Sequence, residues 1–465
     1  MLESLADAID DRSARGIAGA LGRMITAGDL AVGTRLPTVR QLSRRLGVSP
    51  TTVGEAWKAL TDIGAIETLG RNGSFVRQPT GPGGPRRYRR IAAAGPLPGS
   101  SFLDLSTGTP DSALLPDLGE ALARVSGRSL TNSYLDQPVL PALEEALRRR
   151  WPFTPEEITV VDGAMDALDR LARLVLRLGD RVIVEHPTFP PLLDLLEQIG
   201  VEVIGVELDE EGLNLTSFRA ALARRPAAFF LQPRAQNPTG VTMSKQRASQ
   251  LAGCIKDSAS LGQTDHSLVI IEDDHSGDIA SGSLHSIGTF LPAQTVHILS
   301  FSKSHGPDLR LAAVGGAGAV VTGVANRRLL GPGWSSRILQ AVLVELLDDQ
   351  HTLETLDQAR KEYAARRRRV VDILSERGVG TTGSDGINLW VAVENERDAS
   401  MTLAARGIGS APGEPFLVRE HPDSLRFTVG LLGPETQLEN AALAIADAAF
   451  GANRPGQRRQ TGQLR

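Results

Sequence analysis

The chain has 465 residues and a mass of 49.5 kDa, room for about three domain-sized units. With 41% hydrophobic and 22% charged residues, it excludes a fibrous or mostly disordered chain. Its one cysteine, Cys254, excludes a disulfide framework and a cysteine-built zinc site, and points to the reducing cytoplasm. The net charge of −4 is unevenly spread: residues 1–90 carry 14 basic against 8 acidic side chains, the rest 36 against 46. A bias this mild does not establish nucleic-acid binding by itself. The acidic N-terminus has no secretory-signal pattern. The uncharged stretch from Leu311 to Ala325, rich in Gly and Ala, is too short for the ~20 apolar residues of a membrane span.

In residues 1–77, Ile17, Leu21, Met24 and Ile25 recur at helical spacing, and AGDLAVGTRLP then breaks the helix. Leu42 and Leu46 share one face of a short helix starting near Thr38 and ended by Gly47. Ser49 can cap a third helix with apolar positions at Val53, Trp57 and Leu60. Two short helices joined through LGVS have the helix-turn-helix arrangement, and AIETLG and GSFVRQ around Arg71-Asn72-Gly73 form a hairpin wing. The stretch from Gln78 to Ser100 is dense in Pro and Gly and reads as a flexible linker over 78–100. Residues 451–465, with almost nothing to bury, read as a disordered tail.

Residues 101–450 alternate helical patterns with short apolar strands such as RVIVE, AAFFLQ, SLVIIED and TVHILSFS. This is the signature of an α/β domain with a mostly parallel sheet covered on both faces. Lysine is rare, five against forty-five arginines, and Lys303 directly follows an apolar strand in SFSKSHGPDLRL. Burial there would depress its pKa and suit it to Schiff-base formation. Ser300, Ser302 and Arg310 are suited to gripping a phosphate, and Gly163-Ala164 open a helix with free N–H groups. VIIEDDH ends a strand in carboxylates, one of which could hold a pyridine nitrogen protonated; AQNPTG places Asn237 at a turn, and EHPTFP offers Phe189 as a flat face. Each of these segments alone has an ordinary structural explanation. The eight histidines show no HExxH-like spacing, so no metal site is expected.

The head, GTRLPTVRQLSRRLGVSPTTVGEAWKALTDIGAIETLGRNGSFV, resembles the winged helix-turn-helix of the GntR family of bacterial regulators. That resemblance implies DNA contacts from Arg40, Ser49, Thr51 and the wing around Gly73, with Thr52 beside them. Pro50 and Gly54 stand where the family often has Arg, so Arg35, Arg44 and Arg45 are left to supply phosphate contacts. Taken in order, GTPDSALLP, YLDQP, DGAMDAL, EHPTFP, QNPTG, IIEDDH, SFSKSHGPDLRL and LRFTVG resemble fold-type I pyridoxal-phosphate aminotransferases, with a smaller C-terminal α+β domain. The whole chain is thereby similar to the MocR subfamily. The resemblance implies that Lys303 carries pyridoxal 5'-phosphate as an aldimine, Asp273 pairs with the ring nitrogen, Asn237 holds the ring oxygen and Phe189 stacks on the ring. Gly163, Ala164, Ser300, Ser302 and Arg310 would bind phosphate, with Tyr134 reaching in from a second subunit, and Arg426 would clamp an amino acid's carboxylate. Among the departures, His275 replaces a Tyr that assists the ring oxygen, and Met165-Asp166 replaces a pair of glutamines in the phosphate cup. Val139 and Glu144 stand where Gly and Arg are common.

These features imply a homodimeric transcription factor that reads paired half-sites in double-stranded DNA and senses a small amino compound, or the cofactor itself. A working aminotransferase with an autoregulatory head and a regulator that has lost its cofactor are the competing readings. Effector, operator and the sign of regulation are not encoded in any motif.

Overall fold

The computed structural model describes residues 2–9, 11–27, 29–62, 65–68, 73–77, 85–93, 102–126, 133–262 and 268–450. The tail expected at 451–465 lies outside them, as do Arg71 and Asn72 of the wing turn.

The head is built from α1 (Leu2–Asp7), α2 (Ala14–Ala27), α3 (Val39–Leu46), α4 (Pro50–Asp62) and the hairpin β1 (Ile66–Thr68) and β2 (Ser74–Val76). Thr38 closes a capping box with Gln41 at the start of α3, and Gly47, at φ 67°, ends that helix in the left-handed conformation. Ser49 Oγ then accepts from the Thr52 amide at the start of α4. Leu42, Leu46, Val53, Trp57 and Leu60 meet in one core with Ile17 and Leu21, as their spacing predicted. Leu5 and Ile9, on and just after the unforeseen α1, complete it.

One helix stands inside the stretch expected to be linker: α5 (Arg86–Ala93). Its sequence has almost no apolar period, so the helix is held by partners distant in the chain. The N–H groups of Arg87 and Tyr88 donate to the Asp194 carboxylate at 3.1 and 3.2 Å, and the Arg87 guanidinium reaches Glu197 at 3.0 Å. A carboxylate at a helix N-terminus is favourable for both hydrogen bonding and the helix dipole. Ile91, the buried apolar anchor, packs with Trp390, Ala411 and Phe416.

The body follows as β3 (Leu103–Asp104), α6 (Gly119–Val125), α7 (Pro141–Arg150), β4 (Glu157–Val161), α8 (Ala164–Val175), β5 (Arg181–His186), α9 (Pro190–Ile199), β6 (Glu202–Asp209), β7 (Gly212–Leu213), α10 (Leu215–Leu222), β8 (Ala228–Leu231), α11 (Lys245–Ser260), β9 (Val269–Asp274), β10 (Thr295–Ser300), β11 (Ala312–Gly316) and α12 (Gly318–Leu329). Then come α13 (Arg337–Asp348), α14 (Gln350–Glu376), β12 (Thr381–Thr382), β13 (Leu389–Ala392), α15 (Glu396–Ala405), β14 (Ile408–Gly409), β15 (Ala411–Pro412), β16 (Ser424–Phe427) and α16 (Glu435–Ala449).

Eight strands form the main sheet in the order β4-β11-β10-β9-β8-β5-β6-β7. The pairs β10/β9, β9/β8, β8/β5 and β5/β6 are parallel, while β11 runs antiparallel to both neighbours. Strands such as Ala228–Leu231 are buried along their whole length, as a sheet covered on both faces requires. A second sheet, β12-β13-β16-β15, carries α14, α15 and α16 on a separate apolar core. Leu178, in the turn before β5, packs against the core of the head. Among the described residues, no helix is long and apolar enough to cross a membrane, and no group of three or more His, Cys, Asp or Glu is placed to hold a metal.

Candidate functional site

Open α/β sheets bind ligands outside the carboxyl ends of their parallel strands, and the residues singled out by sequence converge there. Phe189 follows β5, Gln232 and Asn237 follow β8, His275 follows β9, and Ser302 and Lys303 follow β10. With Ala164, Asp273, Ser300 and Arg310 they line one cavity of about 190 Å3. Drug-sized sites span ~300–1,000 Å3, so this space suits a single ring compound.

One end of the cavity is made for an anion. Gly163 precedes α8 with no side-chain cap, so the first N–H groups of that helix are free to bind negative charge. Gly163 has φ 100°, a conformation that side chains rarely adopt, and a Cβ there would lie 2.8 Å from Arg310 Nη2, which would have to shift. Arg310 donates to the Asp162 carbonyl at 3.0 Å. Asp166 does not turn its charge into this cup. Burial pushes its carboxyl up, but hydrogen bonds from Arg170 and the Asp162 N–H, with the charges of Arg170 and Arg328, bring it below the usual carboxylate range. Arg328, absent from the sequence reading, is fully buried behind the cup and joins Asp162, Asp166 and Ser335 at 3.2, 2.9 and 3.0 Å.

The opposite end carries a buried carboxylate with an open acceptor position. Asp273 Oδ2 accepts from Gln232 Nε2 at 2.9 Å, while Oδ1 is buried with no hydrogen-bond partner. Burial raises this carboxyl to about 6, against the pull of Gln232 and the Lys303 charge. An orphaned carboxylate oxygen costs free energy unless a donor fills it, and a pyridinium N–H is such a donor. Gln232, also missed by sequence, links the site's parts: its Oε1 accepts from the Asn237 N–H at 2.8 Å and its own N–H donates to Glu185 at 3.1 Å. Glu185, buried among these amides, is raised to about 8 chiefly by desolvation. A polar residue ending an apolar strand was the available signal for Gln232.

Lys303 stands between these ends. Burial lowers its ammonium to about 8, opposed by Asp273 and Asp274 and assisted by Arg426. The nucleophilic amine is thus far more populated near neutral pH than in an ordinary lysine. Its Nζ lies 2.5 Å from His275 Nδ1, and His275 Nε2 is bonded to the Ala235 carbonyl at 2.9 Å. The histidine therefore donates to the Ala235 carbonyl and not into the cavity. Desolvation and the nearby Lys303 charge hold its pKa well below the ordinary value.

Arg426 adjoins the cavity from β16. It donates to Asn237 Oδ1 at 3.4 Å and to the Ser106 carbonyl, and its Nε has no partner. Its guanidinium lies 5.4 Å from the Phe416 ring, and burial lowers its pKa to about 10. Tyr134 is not brought into the cavity; it is 91% exposed, with its ring 6.1 Å from that of Trp334. In the head, Arg35, Arg40, Arg44, Ser49 and Thr51 are exposed on one small domain, Thr52 is half-buried against Ser49, and Gly73 lies against Arg35.

Comparison with known proteins agrees with this division. Residues 13–76 match the bacterial regulatory proteins of the gntR family, and residues 100–445 match aminotransferase class I and II. The vitamin B6 salvage pathway transcriptional repressor PtsJ of Salmonella typhimurium is 34% identical over 445 residues, covering 95% of this chain and 99% of the relative. The HTH-type transcriptional regulator TauR of Rhodobacter capsulatus is 27% identical, covering 91% and 94%. Among solved structures, Pyrococcus horikoshii kynurenine aminotransferase matches with a TM-score of 0.66 at 22% identity, over 76% of this chain and 91% of that one. Thermus thermophilus aspartate aminotransferase matches at 0.65 and 22%, over 77% and 98%. At that identity the likeness establishes the fold.

Proposed function

This chain belongs to the gntR-family regulators through its head and to aminotransferase class I and II through its body, the MocR architecture, and on that premise we propose that it is a DNA-binding transcriptional regulator that takes pyridoxal 5'-phosphate on Lys303 as its signal. The observation that carries the reading is the unpartnered Asp273 Oδ1 at one end of the cavity, with the uncapped α8 N-terminus and Arg310 at the other. Together they fit a phosphorylated pyridine. When bound, the cofactor supplies an aldehyde and an electron-withdrawing ring. The chain's own groups do the rest: Asp273 keeps a proton at the ring nitrogen, Phe189 covers a ring face, Asn237 and Gln232 fix the ring edge. Gly163, Ala164, Ser300, Ser302 and Arg310 would hold the phosphate, and Lys303 would be the residue that holds the cofactor covalently. The vitamin B6 salvage role in the name of the 34% identical relative supports the cofactor as signal.

A second reading, that an amino compound with a carboxylate is the effector, is favoured by Arg426. It is a buried cation whose Nε has no partner, and a bidentate carboxylate would satisfy it. We assign the DNA-contacting role to Arg35, Arg40, Arg44, Ser49, Thr51, Thr52 and the Gly73 wing. The exposed Tyr134, Leu135 and Leu330 (91, 95 and 90%) suit burial against a second copy of this chain, with two heads reading paired half-sites. The route from cavity to head runs through α5. The Phe416 ring that packs beneath Arg426 also packs on Ile91, and the far end of α5 is tied to α9, which begins at Phe189. A shift of the small domain on ligand binding thereby pulls on the segment that leads to the head.

The test is an absorption spectrum of the purified chain with pyridoxal phosphate. Wild type is expected to develop a visible band that borohydride fixes covalently at Lys303, and Lys303→Ala to develop none. A wild-type protein that stays colourless would leave the body without its cofactor.

A further inference from the structure

We propose that His275 acts on Lys303 as a hydrogen-bond acceptor, holding the lysine nitrogen in place and setting the pH at which its amine is free to capture an aldehyde. The argument starts from the Ala235 carbonyl. A carbonyl oxygen only accepts, so His275 Nε2, 2.9 Å away, carries the ring hydrogen. The other nitrogen of a neutral imidazole is then bare, and it lies 2.5 Å from Lys303 Nζ. The lysine must be the donor.

The backbone fixes this choice. Ala235 has φ 47°, a conformation a non-glycine residue rarely takes, and its own N–H is held by Thr242 Oγ1 at 3.0 Å. Its carbonyl is thereby presented to the imidazole. Around the pair, Asp273 and Asp274 favour the lysine's charge and Arg426 opposes it. His275 faces Lys303, Asp274 and Arg234, and Arg234 is itself paired with Asp274 at 2.7 Å. The two cations and desolvation outweigh the single carboxylate, so the imidazole stays neutral and its Nδ1 stays an acceptor.

Capture joins the lysine nitrogen to the aldehyde carbon and expels the aldehyde oxygen as water, both of whose hydrogens come from the amine. Nδ1 is the acceptor already standing on one of them. This consequence for capture rests on the cofactor reading, but the lysine's titration does not. The decisive measurement is therefore made on the full-length chain without cofactor. The rate at which a small amine-reactive reagent labels Lys303, read by peptide mass spectrometry, is followed against pH in wild type, His275→Phe and His275→Gln.

The ammonium loses an acceptor in His275→Phe, so its midpoint is expected to fall by about one pH unit; His275→Gln, whose amide oxygen accepts, restores it. With pyridoxal phosphate added, the plateau rate of band growth at high pH is expected to fall about tenfold in the Phe variant. An unchanged midpoint in His275→Phe overturns the proposal. So does a His275→Gln protein that melts like wild type yet titrates like the Phe variant. Should no band form in any of the three, the cofactor reading fails while the lysine titration still decides the role of His275.

Discussion

Arg328→Ala is expected to destabilise the body by about 3 kcal/mol, near the lower end of the range for breaking a buried ion pair. Arg328 is 1% exposed and joins Asp162 and Asp166 at once. Asp162 is 46% exposed, so water recovers part of what its carboxylate loses, and Arg170 still holds Asp166 at 2.9 Å. The remaining cost comes from the cavity and from two carboxylates left close together at the start of α8. Those charges would also stand beside the anion cup, so affinity for pyridoxal phosphate should fall with stability. Arg328→Lys should rescue little, because one ammonium cannot reproduce the planar fork that reaches Asp162, Asp166 and Ser335. Denaturant unfolding of the two variants checks this; a loss under 1 kcal/mol in Arg328→Ala would show that the cluster is not a structural base for the cup.

Ile91→Ala is expected to separate signal from response. The head and body have separate apolar cores that meet at Leu178, a contact this substitution leaves intact, so losing one anchor of α5 should leave operator affinity in the absence of ligand unchanged. The ligand-dependent part of that affinity, typically 5-fold or more for a coupling of 1–3 kcal/mol, should shrink toward unity. Arg87→Ala, which frees the opposite end of α5 from Glu197, should act in the same direction and more weakly, because a partly exposed ion pair contributes ~1 kcal/mol or less. Operator titrations with and without pyridoxal phosphate give both quantities. A full ligand response in Ile91→Ala would place the route to the head elsewhere.

Much of this molecule is legible in its sequence because its logic is local. The periods of Leu42 and Leu46, then Val53, Trp57 and Leu60, with Gly47 between them, are enough to define the two helices. The candidate site was legible for a similar reason: polar residues that end apolar strands, such as Asp273 after VIIE and Lys303 after HILSFS, point to the carboxyl edge of a parallel sheet when several such segments occur in one chain. What escaped depends on partners far along the chain. The α5 helix contains little but arginine and one apolar anchor, and it forms because Asp194, 107 residues away, receives its N-terminus. Arg328 reads like any of forty-five arginines until Asp162, 166 positions earlier, is found against it. The polarity of His275 was equally hidden, since it is decided by a carbonyl 40 residues upstream. Met165-Asp166 stands where a pair of glutamines is usual, and only the structure shows that the Asp166 side chain turns toward Arg170 and Arg328.

The central claim is that capture of pyridoxal phosphate at Lys303 changes how the heads hold DNA. It is tested most directly by measuring operator affinity at fixed salt, with and without pyridoxal phosphate, in wild type and in Lys303→Ala. The account predicts a change of at least 5-fold in wild type and none in the variant. An equal response in both proteins, or none in a wild type that carries the visible band, would contradict it.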